Sequence, residues 1–99
     1  MEISKQRFGE AGLMVKPVGR IDVNTATEFG YEINDAIDCI KELVIDFEEI
    51  VYISSIGLRV LLELQKRMNE QGSMKIINVK PAIMEIFTMT GFDNILNIV

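Results

Sequence analysis

A change of hydrophobic pattern in the middle of the chain does most to limit what it can fold into. Leu43, Val44, Ile45 and Phe47 make an apolar run that is too short for a helix and apolar on both faces. Such a run reads as a central strand covered on both sides. After a short link at 48–53, leucines recur at helical spacing from Leu58 to Met68. Ser54, Ser55, Ile56 and Gly57 stand at the junction, so hydroxyls fall where a helix begins and its unpaired backbone N–H groups favour an anion. A serine hydroxyl becomes a nucleophile only beside a base. The chain has no His, and nothing near the junction substitutes for one. The serine therefore reads as a group that is modified, not one that attacks.

The flanking segments supply an α/β layer structure. Residues 3–8 and 13–19 read as two strands of an antiparallel hairpin around Glu10, Ala11 and Gly12. Pro17 removes a ladder donor and is expected at an edge or a bulge. Thr25 and Glu28 match a capping box. Phe29, Ile33, Ala36, Ile37 and Ile40 then repeat at helical spacing, in a helix ending near Asp38. A second helix is expected over 56–69 and a strand over 74–79. Pro81 opens a third helix with Ile83, Met84, Ile86 and Phe87 on its packed side, and Gly91 stops it. Residues 94–99 read as a final strand. The order is β-β-α-β-α-β-α-β, one domain over 1–99 with a mixed sheet and helices packed on it. The methionines Met14, Met68, Met74, Met84 and Met89 read as core filler.

Composition removes several classes of function. With no His and the single Cys39, a tetrahedral metal site and a Ser-His-Asp triad are both excluded, and no internal disulfide is possible. No glycine-rich phosphate cradle occurs, so no cofactor is expected and the chain reads as a non-enzyme. A net charge of −5 without a basic stretch argues against nucleic acid and leaves a basic protein surface as the complementary partner. No apolar run approaches the roughly 18 residues of a membrane span. The first residues lack a secretory pattern, and the expected location is cytoplasmic.

Around the junction the two serines, Ile56 and Arg59 each have two readings. Ser54 or Ser55 is either exposed for modification or a plain N-cap. Ile56 falls on the charged arc of its helix with Arg59, Glu63, Lys66 and Arg67. It is either an exposed docking residue beside Ser55 or is covered by the 48–53 link. Arg59, one turn on, either pairs with a phosphate or is solvated. Gly57 permits close backbone approach. Asp46 reads as a strand-end carboxylate tied to the following loop.

Three segments, in order, resemble the bacterial anti-sigma-factor antagonists of the STAS domain family. Tyr52-Ile53-Ser54-Ser55-Ile56-Gly57-Leu58 resembles the signature loop, and Gly19-Arg20-Ile21-Asp22-Val23-Asn24-Thr25-Ala26 resembles the Gly-x-Ile/Leu-Asp-x-x-Thr/Ser-Ala segment. Pro81-Ala82-Ile83 through Thr90-Gly91-Phe92 resembles the last helix and its turn. The resemblance implies partner switching. The unphosphorylated antagonist binds an anti-sigma factor that is also an ATP-dependent serine kinase and so releases a sigma factor. Phosphorylation of the loop serine ends binding, and a phosphatase restores it. Aligned on Gly57 and Leu58, the acceptor is Ser55, with Ser54 the rival. The typical loop is Asp-Ser-Ser/Thr-Gly-Leu, so Ser54 stands for the usual Asp and Ile56 for the usual Ser or Thr.

The resemblance also makes Asp22 a partner-contact or kinase-recognition residue, against its own reading as a turn residue. The implied partner-binding set is Asp22, Asn24, Ser54, Ser55, Ile56, Gly57 and Arg59. Many members carry a further helix where this chain stops at Val99, which implies apolar surface open to a homodimer or a partner. Two alternatives remain at this level. One is a STAS subunit of another assembly, such as a lipid-transport accessory or a stress-sensing complex. The other is a small-ligand or nucleotide-binding module.

Overall fold

Strand β1 (Glu2–Phe8) turns at Gly9 to Ala11 and returns antiparallel as β2 (Gly12–Ile21), with Phe8 opposite Gly12 and Glu2 opposite Val18. The computed structural model describes residues 1–99. The chain continues through α1 (Ala26–Ala36), β3 (Glu42–Asp46), β4 (Ile50–Ile53), α2 (Ser55–Gln71), β5 (Ser73–Ile77) and α3 (Pro81–Thr90). The sheet order is β1-β2-β3-β5, with β4 paired to β2, and all pairs except β1–β2 are parallel.

The link at 48–53 is not wholly loop, because β4 forms within it. β3 pairs with Gly12 to Val15 of β2, and β4 takes up Gly19 to Ile21 of the same strand. Pro17 lies between these two ladders, where the expected interruption occurs, and a further irregularity separates Gly19 from Arg20. The missing donor thus coincides with a break in pairing. Sequence periodicity does not see β4: Val51 and Tyr52 are exposed, so only Ile50 and Ile53 are apolar and buried.

Residues 94–99 do not form the expected strand. Phe92–Asn94 is a 3-10 turn, and the tail makes a single parallel bridge, Ile76 with Ile98. Two hydrogen bonds tie it to the edge strand, Ile76 N–H to Asn97 O and Val99 N–H to Ile76 O, and the Leu96 side chain is buried in the core. The apolar pairs Ile95-Leu96 and Ile98-Val99 permit a strand, but the 3-10 turn takes up the start of the segment and only one bridge to β5 forms.

Both faces of β3 are buried, in different ways. Leu43 and Ile45 join one continuous core with Phe29 and Ile33 of α1 and Leu61, Leu64 and Met68 of α2. Val44 is buried outside that core, between its half-buried register neighbours Met14 and Lys75. Ile83 and Phe87 carry α3 onto the core, with the Phe87 ring 6.2 Å from that of Phe47. Of the methionines read as core, Met68 and Met74 are buried and Met14 and Met84 half-buried, but Met89 is 79% exposed and is corrected to a surface residue. It lies on α3 away from the Ile83–Phe87 stripe. Pro81 begins α3, and Gly91 closes it at φ 79° in the left-handed region, as expected.

The capping box does not form. The Thr25 N–H donates to Asp22 Oδ1 at 3.0 Å and so is not offered to the exposed Glu28, whose Oε1 accepts instead from the Met1 ammonium at 2.9 Å. The Thr25 hydroxyl points backward, donating to Arg20 O at 2.6 Å and accepting from Asp22 N–H at 2.9 Å. The motif spacing is satisfied, but the aspartate three residues earlier outcompetes the glutamate for the same N–H. No helix of the chain is long and apolar enough to cross a membrane.

Candidate functional site

The parallel pairing of β2 with β4 brings two distant segments to one end of the sheet. Ile21 pairs with Ile53, and Ser54 N–H donates to Ile21 O at 2.8 Å. The loop after β2, with Asp22 and Asn24, therefore lies beside the start of α2, with Ser54, Ser55 and Ile56. Both leave the carboxyl ends of adjacent parallel strands, the usual location of binding sites in such sheets.

The two serines, equivalent in the sequence, separate in the fold. Ser54 is the N-cap of α2, 7% exposed, its Oγ accepting from Gly57 N–H at 3.2 Å. Its carbonyl takes the first helical bond, from Leu58 N–H at 2.9 Å. Ser55 is the first residue of the helix and is exposed. The cap places its backbone in the extended region at φ −89°, ψ 172°, which turns the chain outward as the helix starts.

Gly57 explains how the helix sits so close to the sheet. A Cβ at this position would lie 2.7 Å from Ile21 Cγ2 and 2.8 Å from Ile53 Cγ1. No larger residue fits without displacing the Ile21 and Ile53 side chains at the two strand ends. Ile56 is 42% exposed, so the 48–53 link does not cover it. It borders a groove of about 260 Å³ between α1 and α2, also lined by Tyr31, Asn34, Arg59, Val60 and Glu63. Tyr31, at 67% exposure, is a groove residue that the sequence reading did not single out. The available signal was the one that flagged Ile56: a large apolar side chain on the charged arc of an amphipathic helix.

Asp22 organises its loop from within. Its Oδ1 accepts from Asn24 N–H at 2.9 Å and from Thr25 N–H at 3.0 Å. These backbone bonds to Asn24 and Thr25 hold its carboxyl below the ordinary carboxylate value, with smaller help from the Thr25 hydroxyl and the Arg20 charge. Asn24 is exposed beside it. Arg20 stacks on Tyr52, its guanidinium carbon 4.3 Å from the ring centre. Arg59 is exposed and belongs to none of the chain's ion pairs. Asp46 holds the β3–β4 turn, accepting from Glu48 N–H at 2.9 Å and Asn78 Nδ2 at 3.1 Å.

The seven residues singled out from the sequence thus gather at one end of the domain. Asn24, Ser55, Ile56 and Arg59 face solvent, whereas Ser54 and Gly57 are buried and shape the junction. No grouping of His, Cys, Asp or Glu side chains has the arrangement of a metal site.

Comparison with known proteins agrees with this architecture. The STAS domain model matches residues 2–99, and the chain belongs to that family. A protein of Bordetella bronchiseptica bearing the name anti-sigma factor antagonist BtrV is 38% identical over 53 residues, 52% of this chain and 46% of that one. The match therefore spans about half the length of the curated relative. An anti-sigma factor antagonist from Mycobacterium paratuberculosis superimposes with a TM-score of 0.84 at 22% identity, covering 98% of this chain and 85% of that one. The unphosphorylated form of the antagonist SpoIIAA gives 0.82 at 15% identity over 99% and 88%. Its phosphorylated Bacillus form gives 0.75 at 15% identity over 99% and 91%. At such identities the likeness is one of fold.

Proposed function

We propose that this protein is an anti-sigma factor antagonist that works by partner switching, as a regulator without catalysis of its own. In this reading it binds an anti-sigma factor with serine kinase activity through Ser55, Ile56, Arg59, Asn24 and the loop held by Asp22. Ser54 and Gly57 fix the geometry. Phosphorylation of Ser55 ends the interaction, and a phosphatase restores it. The observation that carries the reading is the contrast at the helix start: the Ser55 side is open to solvent while the Ser54 oxygen is spent on the cap. The names of the relatives, one of them solved in a phosphorylated form, support the same role.

The chemistry of the switch follows from that placement. A phosphoserine carries about −1.5 to −2 charge at neutral pH. On the free domain it sits at a helix N-terminus, where the dipole favours negative charge, so the fold tolerates it. At a packed interface the same group must be desolvated, and losses of several kcal/mol suffice to abolish micromolar binding.

The test pairs the protein with a serine-kinase anti-sigma factor of the same genome. Incubation with ATP followed by mass spectrometry of the loop peptide is expected to place one phosphate on Ser55. The Ser55→Asp variant is expected to bind that factor at least ten-fold more weakly with unchanged circular dichroism. Phosphate on Ser54, or undiminished binding by the variant, would overturn the proposal.

A further inference from the structure

We infer that Arg59 is a built-in clamp for the modified side chain: phosphate on Ser55 is held within the same helix by the Arg59 guanidinium. The inference rests on reading Ser55 as the modified residue and adds to it what becomes of the charge afterwards.

Ser55 and Arg59 are the first and fifth residues of α2, and both are exposed. Residues four apart in a helix are surface neighbours, and a negative group N-terminal to a cation is the more favourable order. Helical side chains lean toward the N-terminus, so the long Arg59 chain is able to reach the turn that begins at Ser55. Arg59 is also uncommitted: Glu63, four residues further on, makes no ion pair with it, and that pair would have the less favourable order. The nearby Arg20 is engaged on the Tyr52 ring instead. A guanidinium presents a planar fork that matches two phosphate oxygens at once.

The consequence concerns the docking face. In the unmodified protein Arg59 is a free cation at the rim of the groove bordered by Ile56 and Tyr31. Once Ser55 is phosphorylated, the same guanidinium folds onto the phosphate. One modification then adds negative charge and also withdraws the positive charge a partner would meet.

The test installs phosphoserine at position 55 by genetic code expansion, so it does not depend on any kinase. Phosphorus NMR titration of the full chain is compared with the same protein carrying Arg59→Gln or Arg59→Lys. The helix N-terminus acts alike in all three, so differences report residue 59. The phosphate in the parent is expected to titrate about half a unit lower than in the Gln variant, with Lys between them. That gap is expected to shrink in about 1 M salt, where exposed charges are screened. Coincident titration curves for parent and Gln variant would overturn the clamp. Failure of the kinase to modify Ser55 would instead count against the proposed function and leave the clamp standing.

Discussion

Replacing Ser54 by alanine isolates the physical difference between two adjacent serines. The Ser54 Oγ accepts from Gly57 N–H at 3.2 Å in a position only 7% exposed. Removing it deletes an N-cap, worth about 0.5–2 kcal/mol. Because the site is buried, water replaces the lost acceptor poorly, and an unsatisfied donor costs about 1–3 kcal/mol. These describe the same lost bond and are not added, so the expected destabilisation is about 1–2 kcal/mol. For a domain of this size that lowers the melting temperature by about 5–15 °C. Ser54→Asp provides an equivalent cap and a favourable charge at the helix start, and is expected to recover most of the loss. Ser55→Ala, at an exposed position whose side chain makes no hydrogen bond, is expected to stay within about 0.5 kcal/mol of the parent. Urea denaturation of the three variants, followed by circular dichroism, reads these values directly. Equal losses at the two serines, or no loss at Ser54, would refute the assignment of one as structural and the other as free.

Gly57→Ala places a methyl within 3 Å of Ile21 and Ile53. It is expected to cost about 1–3 kcal/mol and to shift amide NMR signals of both strand ends, whereas a neutral result would mean the junction is looser than described. Ile56→Asp, on a 42% exposed residue, is expected to leave stability within about 0.5 kcal/mol while weakening anti-sigma factor binding at least ten-fold by titration calorimetry. Asp22 predicts a pH effect. Its folded carboxyl titrates below the unfolded value near 3.9, so its contribution to stability is complete above about pH 4 and is lost as pH falls through the depressed value. Asp22→Asn is expected to flatten the stability profile in that acid range, and identical profiles would show that the carboxylate charge plays no part.

Reading Ser54 as a cap also accounts for a departure from the family loop. Aspartate, usual at that position, and serine are comparable N-caps, so the substitution keeps the local structure while removing a charge. The same logic shows where sequence reading stops. The capping box at Thr25 and Glu28 had the right spacing, but Asp22 took the donor it needed. The turn reading of Asp22 was correct in its bonds, and nothing in the spacing shows that this turn lies against the start of α2.

What the sequence determined by itself was local and periodic. Apolar spacing defined α1, α2 and α3. Their stops and starts at Gly91 and Pro81 follow from backbone restrictions that those residues carry anywhere. The β1–β2 hairpin, β3 and β5 were legible for the same reason. The tertiary structure decided whatever depended on pairing between segments far apart in the chain. β4 exists because β2 extends past the end of β3 and offers Gly19 to Ile21 as a free edge. The tail at 94–99 is not a full strand: it starts in the 3-10 turn that follows α3 and meets β5 at one bridge alone. The choice between Ser54 and Ser55 was likewise made in three dimensions, since both sequence positions suit a helix start. The backbone bond from Ser54 to Ile21 and the cap to the Gly57 amide hold one serine inside, and the other stays exposed. Accessibility belongs to packed surfaces, and a linear pattern carries it only where neighbours along the chain are also the neighbours in space.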